Sequence, residues 1–436
     1  MKFFIFFILK ILAKRILKKY QPEIIGVTGS FGKSSATEAI HCVLKNKFNT
    51  RKSILGYNTE LGLPLTVIGC FSGEKSPIKW FLIFAKGLKL IFFRDKNYPK
   101  ILILEMGANK PGDIEYLIKI ASLKIGIITD VGPTHLETFF SLENIIKEKQ
   151  KIIGQLPCDG WAILNKDNKI VDKMRKKTEA QILTFGFDEE SDLRASELML
   201  DYELGDCKSS DLVGYPSCQR TKIKGINFKI KYQGNVVPVF LTDILGEVSA
   251  YSVLIAAAVG IIYKINLVEI TEALREYKSP PGRMNLIKGI KETLLIDGTY
   301  NASPKTVGVS LEILSRLPCI GQKWAVLGDM LELGEVAQSE HKKIGKKIVE
   351  GEIDILVTLG KQSKEIAVGA KEKGMLEDKI FSFDNIDEAK KFIQNKMRQG
   401  DILLIKGSNG MEMWKIVKEI IAEPLRAEEL IILKKV

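Results

Sequence analysis

Histidine and cysteine are scarce, with three and six copies in 436 residues. Cys42, Cys70, Cys158, Cys207, Cys218 and Cys319 are scattered without CxxC spacing, which excludes a zinc framework of that type and a disulfide scaffold. They read as reduced residues of a cytoplasmic protein. Long apolar runs are also missing. The N-terminal run Phe3 to Leu9 falls well short of the ~18 residues that cross a bilayer. No secretory cleavage site follows it, because Lys10, Lys14, Arg15, Lys18 and Lys19 lie on its C-terminal side. Internal repeats and low-complexity tracts are absent. Acidic residues are outnumbered 53 to 65 by Lys and Arg, a net charge of +12, which favours anionic partners such as nucleotides, phosphorylated substrates or an acidic membrane surface. Nucleic acid is not expected, since no motif interleaves aromatic and basic residues. The length, with 45% apolar residues, suits two or three domains with real cores.

What is present centres on Ile24-Ile25-Gly26-Val27-Thr28-Gly29-Ser30-Phe31-Gly32-Lys33-Ser34-Ser35. An apolar strand precedes the glycines and a helix from Ala36 to Leu44 follows, so the turn falls where backbone N–H groups and a helix N-terminus receive phosphate. Lys33 adds a point charge, and the Ser34 hydroxyl can hold magnesium. The spacing departs slightly from the usual P-loop. A chance Gly/Ser turn is the alternative, and the grouping of Gly32, Lys33 and Ser34 directly after a strand weighs against it.

From Ile24 to about Ser279 short apolar strands alternate with helices, the pattern of a doubly wound α/β domain. Expected strands are Ile24 to Val27, Ile101 to Leu104, Ile125 to Thr129, Ala162 to Asn165 and Ile182 to Phe185. Their C-terminal ends carry Gly29, Glu105, Asp130 and Asn165, at the edge where such sheets bind ligands. Residues 186 to 245 suggest a small antiparallel sheet, followed by helices over Ser249 to Tyr263 and Leu267 to Tyr277. Ser279-Pro280-Pro281-Gly282-Arg283 reads as a linker into a second, Rossmann-like α/β domain with strands at Thr293 to Asp297, Trp324 to Leu327, Ile355 to Leu359, Ile380 to Phe383 and Ile402 to Ile405. The expected division is 1–22, an amphipathic segment; 23–279, the phosphate-loop domain; and 280–436, the second domain. Residues 1–20 and 78–93 are aromatic, aliphatic and lysine-bearing. They predict either helices lying on an anionic inner leaflet or helices that bury each other or a second subunit.

Glu105 ends an apolar strand beside the phosphate loop, where a carboxylate serves equally as a magnesium ligand or a cap. His135 stands in a loop, where an isolated histidine is more often a surface residue than a ligand. Asn58 precedes Gly62-Leu63-Pro64 and reads locally as a turn residue.

Thr28-Gly29-Ser30-Phe31-Gly32-Lys33-Ser34-Ser35 resembles the ATP-binding loop of the Mur ligases, with Phe31 and Ser34-Ser35 where Asn and Thr-Thr are commoner. Further stretches resemble the member of that family that adds D-alanyl-D-alanine: Tyr57-Asn58-Thr59-Glu60-Leu61-Gly62-Leu63-Pro64, Leu104-Glu105-Met106-Gly107-Ala108-Asn109, Thr134-His135-Leu136-Glu137, Asp297 to Pro304, Val326 to Gly334, and Ile405-Lys406-Gly407-Ser408. Together they run from about residue 24 to 420.

The resemblance implies an amide ligase of peptidoglycan precursor synthesis. It would add D-Ala-D-Ala to a muramyl tripeptide through an acyl phosphate, with ATP and Mg2+ as cofactors. It implies nucleotide contacts from Gly29, Ser30, Gly32, Lys33, Ser34 and Ser35. It further implies a metal role for Ser34 and Glu105, and a second metal site at His135 completed by a carbamylated lysine. Lys149 matches that lysine, with Lys147 and Lys151 competing for the register; Lys33, Glu105, His135 and Lys149 are the catalytic set. Asn58 would lie near the phosphates or the muramyl peptide, Asn301 near adenine, and Asp329 and Arg283 near the nucleotide as the second domain closes. Lys406 and Ser408 would line the amine-substrate side. An ordinary loop role competes for Arg283, Asp329, Lys406 and Ser408.

Two departures are visible. Val248 and Ser249 stand where the family has His and Asn. Only 23 residues precede Ile24, so a UDP-binding module of roughly a hundred residues is not expected, and the acceptor is the least constrained element. A lipid-linked or folate-like acceptor is one alternative. A P-loop NTPase that is not a ligase is another, although it would need an Asp where Glu105 stands. A binding protein that kept the loop is the third. The expected location is cytoplasmic, with a peripheral place at the inner membrane face.

Overall fold

Short apolar runs that end in glycine or a polar residue become parallel strands, as Ile24-Ile25-Gly26-Val27 and Ile101-Leu102-Ile103-Leu104 do in the computed structural model, which describes residues 2–134, 136–205 and 220–432. A first sheet holds β1 (Glu23–Thr28), β2 (Thr50–Lys52), β3 (Ile101–Glu105), β4 (Ile125–Ile128), β5 (Trp161–Asn165), β6 (Gln181–Gly186), β7 (Leu193–Gly205), β8 (Arg220–Tyr232) and β9 (Asn235–Thr242). Its order is β2-β3-β1-β4-β5-β6-β7-β8-β9. The pairings from β2 to β7 are parallel. β3 and β4 are buried throughout, as strands covered on both faces must be. The β8–β9 hairpin turns on Gln233 and Gly234, both at positive φ, the geometry of a tight two-residue turn. The strands expected over 186 to 245 thus continue the main sheet.

A second sheet holds β10 (Asn285–Lys288), β11 (Leu294–Gly298), β12 (Lys323–Gly328), β13 (Ile355–Leu359), β14 (Ile380–Phe383) and β15 (Ile402–Lys406), in the order β10-β11-β15-β12-β13-β14. Only its edge strand β10 runs antiparallel to its neighbour. Trp324 lies in the core of this sheet, its indole N–H donating to Asp401 Oδ2 at 3.1 Å.

The chain forms two compact units. One comprises Met1–Leu198, Phe228–Val239 and Glu247–Lys278; the other Met199–Asn227, Phe240–Gly246 and Ser279–Val436.

In the first unit, α1 (Lys2–Tyr20), α2 (Lys33–Leu44), α3 (Gly62–Ile68) and α4 (Pro77–Phe92) cover the β2-β3-β1 end of the sheet. α1 buries Leu9, Leu12, Ala13 and Ile16 in the same core as Leu102 and Leu104 of β3. Its C-terminal end is fastened to α4: Lys19 Nζ donates to the carbonyls of Leu90 (3.0 Å) and Ile91 (2.9 Å), and the Tyr20 hydroxyl to that of Phe93 (3.1 Å). α4 starts on Ser76, whose hydroxyl accepts from Lys79 N, with Pro77 in the first turn, where a missing N–H costs nothing. It turns Ile83, Gly87 and Leu90 inward, a spacing of four and three residues that marks one helix face. The two lysine-bearing apolar stretches therefore pack on each other. No helix among the described residues is long and apolar enough to cross a membrane.

Candidate active site

Three strand ends meet where β1 is flanked by β3 and β4, the switch point at which open α/β sheets bind ligands. Val27 pairs with Glu105 and Thr28 with Ile128. The loop after β1, the carboxylate ending β3 and Thr129-Asp130 after β4 consequently stand side by side. Gly29, at φ 151°, passes so close to Thr129 that a Cβ would fall 2.0 Å from its Oγ1. Ser30 N donates to the Asp130 carbonyl at 2.8 Å, and the Ser30 hydroxyl exchanges hydrogen bonds with the Gly132 backbone. The Thr129 hydroxyl donates to the Phe31 carbonyl. Gly32 is the left-handed N-cap of α2, with no side-chain capping bond. A glycine at this position places no side chain over the start of α2, the end of a helix that receives anions.

Glu105 is buried and held on both oxygens. Ser34 Oγ donates to Oε2 at 2.7 Å, and Asn58 Nδ2 donates to Oε1 at 3.0 Å. Asn58 is itself fixed, since its carbonyl accepts from Gly107 N at 2.7 Å, and a Cβ on Gly107 would meet the Asn58 amide carbon at 2.9 Å. Ser53 Oγ accepts from Glu105 N at 3.0 Å. The Ser34 hydroxyl and Glu105 carboxylate form a compact oxygen pair of the kind that suits magnesium, which takes one or two protein oxygens and leaves its other positions to phosphate and water. Among the described residues no group of three or more His, Cys, Asp or Glu makes an all-protein metal cage. His135 lies outside the described residues.

Lys33 Nζ donates to the Gly29 carbonyl at 2.8 Å, and Lys149 Nζ donates to the same oxygen at 3.1 Å. Lys149 ends the helix Leu142–Lys149, which is capped by Ser141, and its side chain is buried. Its neighbours are engaged elsewhere: Lys147 pairs with Glu143 at 2.7 Å, and Lys151 with Glu148 at 2.9 Å and Glu115 at 3.3 Å. Burial lowers the Lys149 pKa to about 7, with the positive charge of Lys33 acting in the same direction and Glu148 and Asp130 opposing. A buried ammonium beside a second one favours its neutral form.

Sequence reasoning overlooked Ser53, Thr129 and Glu148. Glu148 is buried and accepts from Gly112 N and Ile114 N at 2.9 and 2.7 Å, fixing the start of the helix Asp113–Ile118 beside the one that carries Lys149. Its only sequence signal was an acidic residue next to a singled-out lysine.

In the second unit, the ends of β11 and β15 bring Gly298 opposite Lys406. Lys406 is buried, and its Nζ donates to the carbonyls of Asn301 (3.0 Å) and Gly298 (3.3 Å). Burial lowers its pKa to about 8; the Arg283 charge adds to this and Asp297 opposes it. Asp297 is fully buried, which raises its pKa against the Thr299 N–H and hydroxyl that donate to it at 3.0 and 2.6 Å. The Arg283 guanidinium lies over the Tyr300 ring, 4.0 Å from its centroid. Asn301 is exposed, its Oδ1 accepting from Ala302 N at 2.9 Å. Asp329 Oδ1 accepts from Ser363 N at 2.7 Å, and its carbonyl from Ser408 N at 3.0 Å. The Ser408 hydroxyl accepts from Leu331 N at 2.9 Å. Arg283, Asn301 and Lys406 thus gather at one strand edge, with Asp329 and Ser408 tied to each other next to it. His341, buried, holds the same loop by accepting from Met330 N at 3.0 Å.

Comparison with known proteins places this geometry in a lineage. The Mur ligase middle domain matches residues 27–260, and the Mur ligase glutamate ligase domain matches residues 282–409. The UDP-N-acetylmuramoyl-tripeptide--D-alanyl-D-alanine ligase of Bacillus subtilis (strain 168) is 29% identical over 414 residues, covering 95% of this chain and 79% of its own. That of Buchnera aphidicola subsp. Baizongia pistaciae (strain Bp) is 31% identical over 415 residues, 94% of this chain and 78% of its own. Among solved structures, the MurF ligase from Thermotoga maritima in complex with ADP superposes with a TM-score of 0.73 at 25% identity, covering 97% of this chain and 84% of that one. With both family domains matched in order across two α/β sheets, and the phosphate-loop residues set at the switch point of the first, the chain belongs to the Mur ligase family.

Proposed function

We infer that this Mur ligase joins D-alanyl-D-alanine to a muramyl tripeptide in an ATP-dependent reaction. The observation that carries the reading is the cluster at Gly29: a helix N-terminus entered through Gly32, Lys33, the Ser34–Glu105 pair and buried Lys149. It sits in a chain similar over nearly its whole length to ligases named for that reaction. In the first step a substrate carboxylate oxygen bonds to the γ-phosphorus of ATP as the bond to the ADP oxygen breaks, giving an acyl phosphate. In the second, the D-alanyl amine bonds to the acyl carbon, phosphate leaves and the amine loses a proton. Neither step requires a protein nucleophile, so the side chains act by position and charge.

The Gly29 to Lys33 loop would receive the phosphates on its amides, with the Lys33 ammonium adding charge. Ser34 and Glu105 would hold Mg2+, whose charge offsets that of the phosphate oxygens. Asn58 would position Glu105 by holding its second oxygen. Lys149, with a pKa of about 7, is neutral far more often at neutral pH than an ordinary lysine, of which less than about 0.1% is neutral there. A neutral amine can bond to the carbon of CO2 and release a proton, which yields the carbamate implied by the family resemblance and replaces a cation with an oxygen-donor anion. In the second unit, Asn301 and Arg283 are proposed for the nucleotide, and Lys406 and Ser408 for the amine substrate. Asp329, which accepts from the Ser363 and Ser408 backbones, is proposed beside the nucleotide as well.

An acceptor panel tests the reading. With ATP, magnesium and D-Ala-D-Ala, amide product is expected from UDP-linked muramyl tripeptide and not from folates. Product from a lipid-linked tripeptide alone would move the acceptor to the lipid, and product from folate alone would refute the assignment.

A further inference from the structure

α4 is apolar on both sides. Its inward face packs in the core through Ile83, Gly87 and Leu90, yet Ile78, Phe81, Leu82 and Phe92 on the opposite side are 72, 70, 60 and 74% exposed. At 100° per residue these four fall within a single stripe. Lys79 and Lys86 follow one flank of that stripe and Lys89 falls just inside the same edge; Lys86 Nζ also donates to the Gly69 carbonyl at 2.6 Å. α1, fastened alongside, exposes Phe4 and Phe7 at 65 and 55%, as well as Lys14, Arg15 and Lys18. Neither helix contains an acidic residue, over 19 positions in α1 and 16 in α4. The contacts run in the same order along both helices, from Leu12 against Gly87 to Lys19 against Leu90 and Ile91, so the pair forms a fixed platform.

We propose that the outer face of α1 and α4 docks this unit on an anionic phospholipid surface. The apolar stripe would enter the headgroup–acyl boundary and the basic flank would meet lipid phosphates. An apolar stripe bordered by lysines matches such a surface in charge and in polarity. A second copy of the chain fits less well. A two-fold contact sets the same face against itself, which would enclose the exposed Lys14, Arg15, Lys18 and Lys89 of both copies with no carboxylate from either helix to balance them. An apolar core partner would leave the lysine flank unexplained. The helices lie along the surface and do not span it, in keeping with their length.

Flotation of the full chain with vesicles tests this. Binding is expected on vesicles of phosphatidylglycerol and phosphatidylcholine, and at least about tenfold less on phosphatidylcholine alone or in 0.5 M salt, as an electrostatic contribution requires. Phe81→Ser with Phe92→Ser should reduce binding by about tenfold or more with the melting temperature kept, because both side chains point away from the core. Should that variant fold poorly, Lys79→Gln with Lys89→Gln provides the same test and should act most strongly at low salt. Wild-type chain that stays in the dense fraction with anionic vesicles would overturn the proposal. So would unchanged flotation of folded variants, or a dimer that Phe81→Ser with Phe92→Ser dissociates while no vesicle binding is seen.

Discussion

The Gly29 carbonyl accepts from two lysines, Lys33 and Lys149, and this arrangement has a thermodynamic cost. The folded state disfavours the Lys149 proton, so the folded pKa of about 7 lies below the ordinary lysine value of 10.5. Between those values the unfolded chain binds more protons, and stability therefore rises with pH over that window. Denaturant unfolding at pH 7 and pH 9 should show the wild type gaining stability and Lys149→Met gaining less. An equal gain in both would mean that Lys149 is not held neutral. Turnover should follow the same group: removing CO2 should lower it and bicarbonate restore it. Lys149→Ala should lose turnover while keeping nucleotide affinity, with partial recovery from short-chain carboxylic acids. Undiminished phosphate release in Lys149→Ala would remove that lysine from the chemistry. Two site features could not be read from neighbouring residues at this scale. The Asn58–Glu105 bond joins residues 47 apart, and the choice of Lys149 over Lys147 and Lys151 depends on which helix face is buried.

Elements differed in how far the sequence disclosed them. β1, β3, β4, β5 and β6 announce themselves as apolar runs ending at turns, because strands buried on both faces admit little else. β2 does not: Thr50-Arg51-Lys52 is a strand only through its pairing with Ile101, Leu102 and Ile103, and its basic edge discourages further pairing. β10 is likewise defined by its neighbour β11. α1 was the ambiguous case, since its mixture of apolar and basic residues suits either a membrane or a core, and only the tertiary structure supplies Leu9, Leu12 and Ile16 with a core. Ile16→Ala, at a fully buried position, should accordingly cost about 2–5 kcal/mol, read by denaturant unfolding. A loss below about 0.5 kcal/mol, typical of surface sites, would mean that α1 is not part of the first unit's core in solution.

For the whole molecule, the net charge of +12 and the two strand-edge clusters point to anionic substrates, and the family relationship narrows them to peptide ligation. The alternatives raised by the sequence differ in one observable, the coupling of phosphate release to amide formation. A P-loop ATPase releases phosphate without an acceptor, and a binding protein releases none. The decisive measurement is the ratio of phosphate released to D-Ala-D-Ala adduct formed, determined by mass spectrometry with ATP, magnesium and UDP-linked muramyl tripeptide. One phosphate per adduct, with neither appearing when D-Ala-D-Ala or the tripeptide is omitted, is the predicted result; sustained phosphate release without either substrate, or with no adduct when both are present, would contradict it.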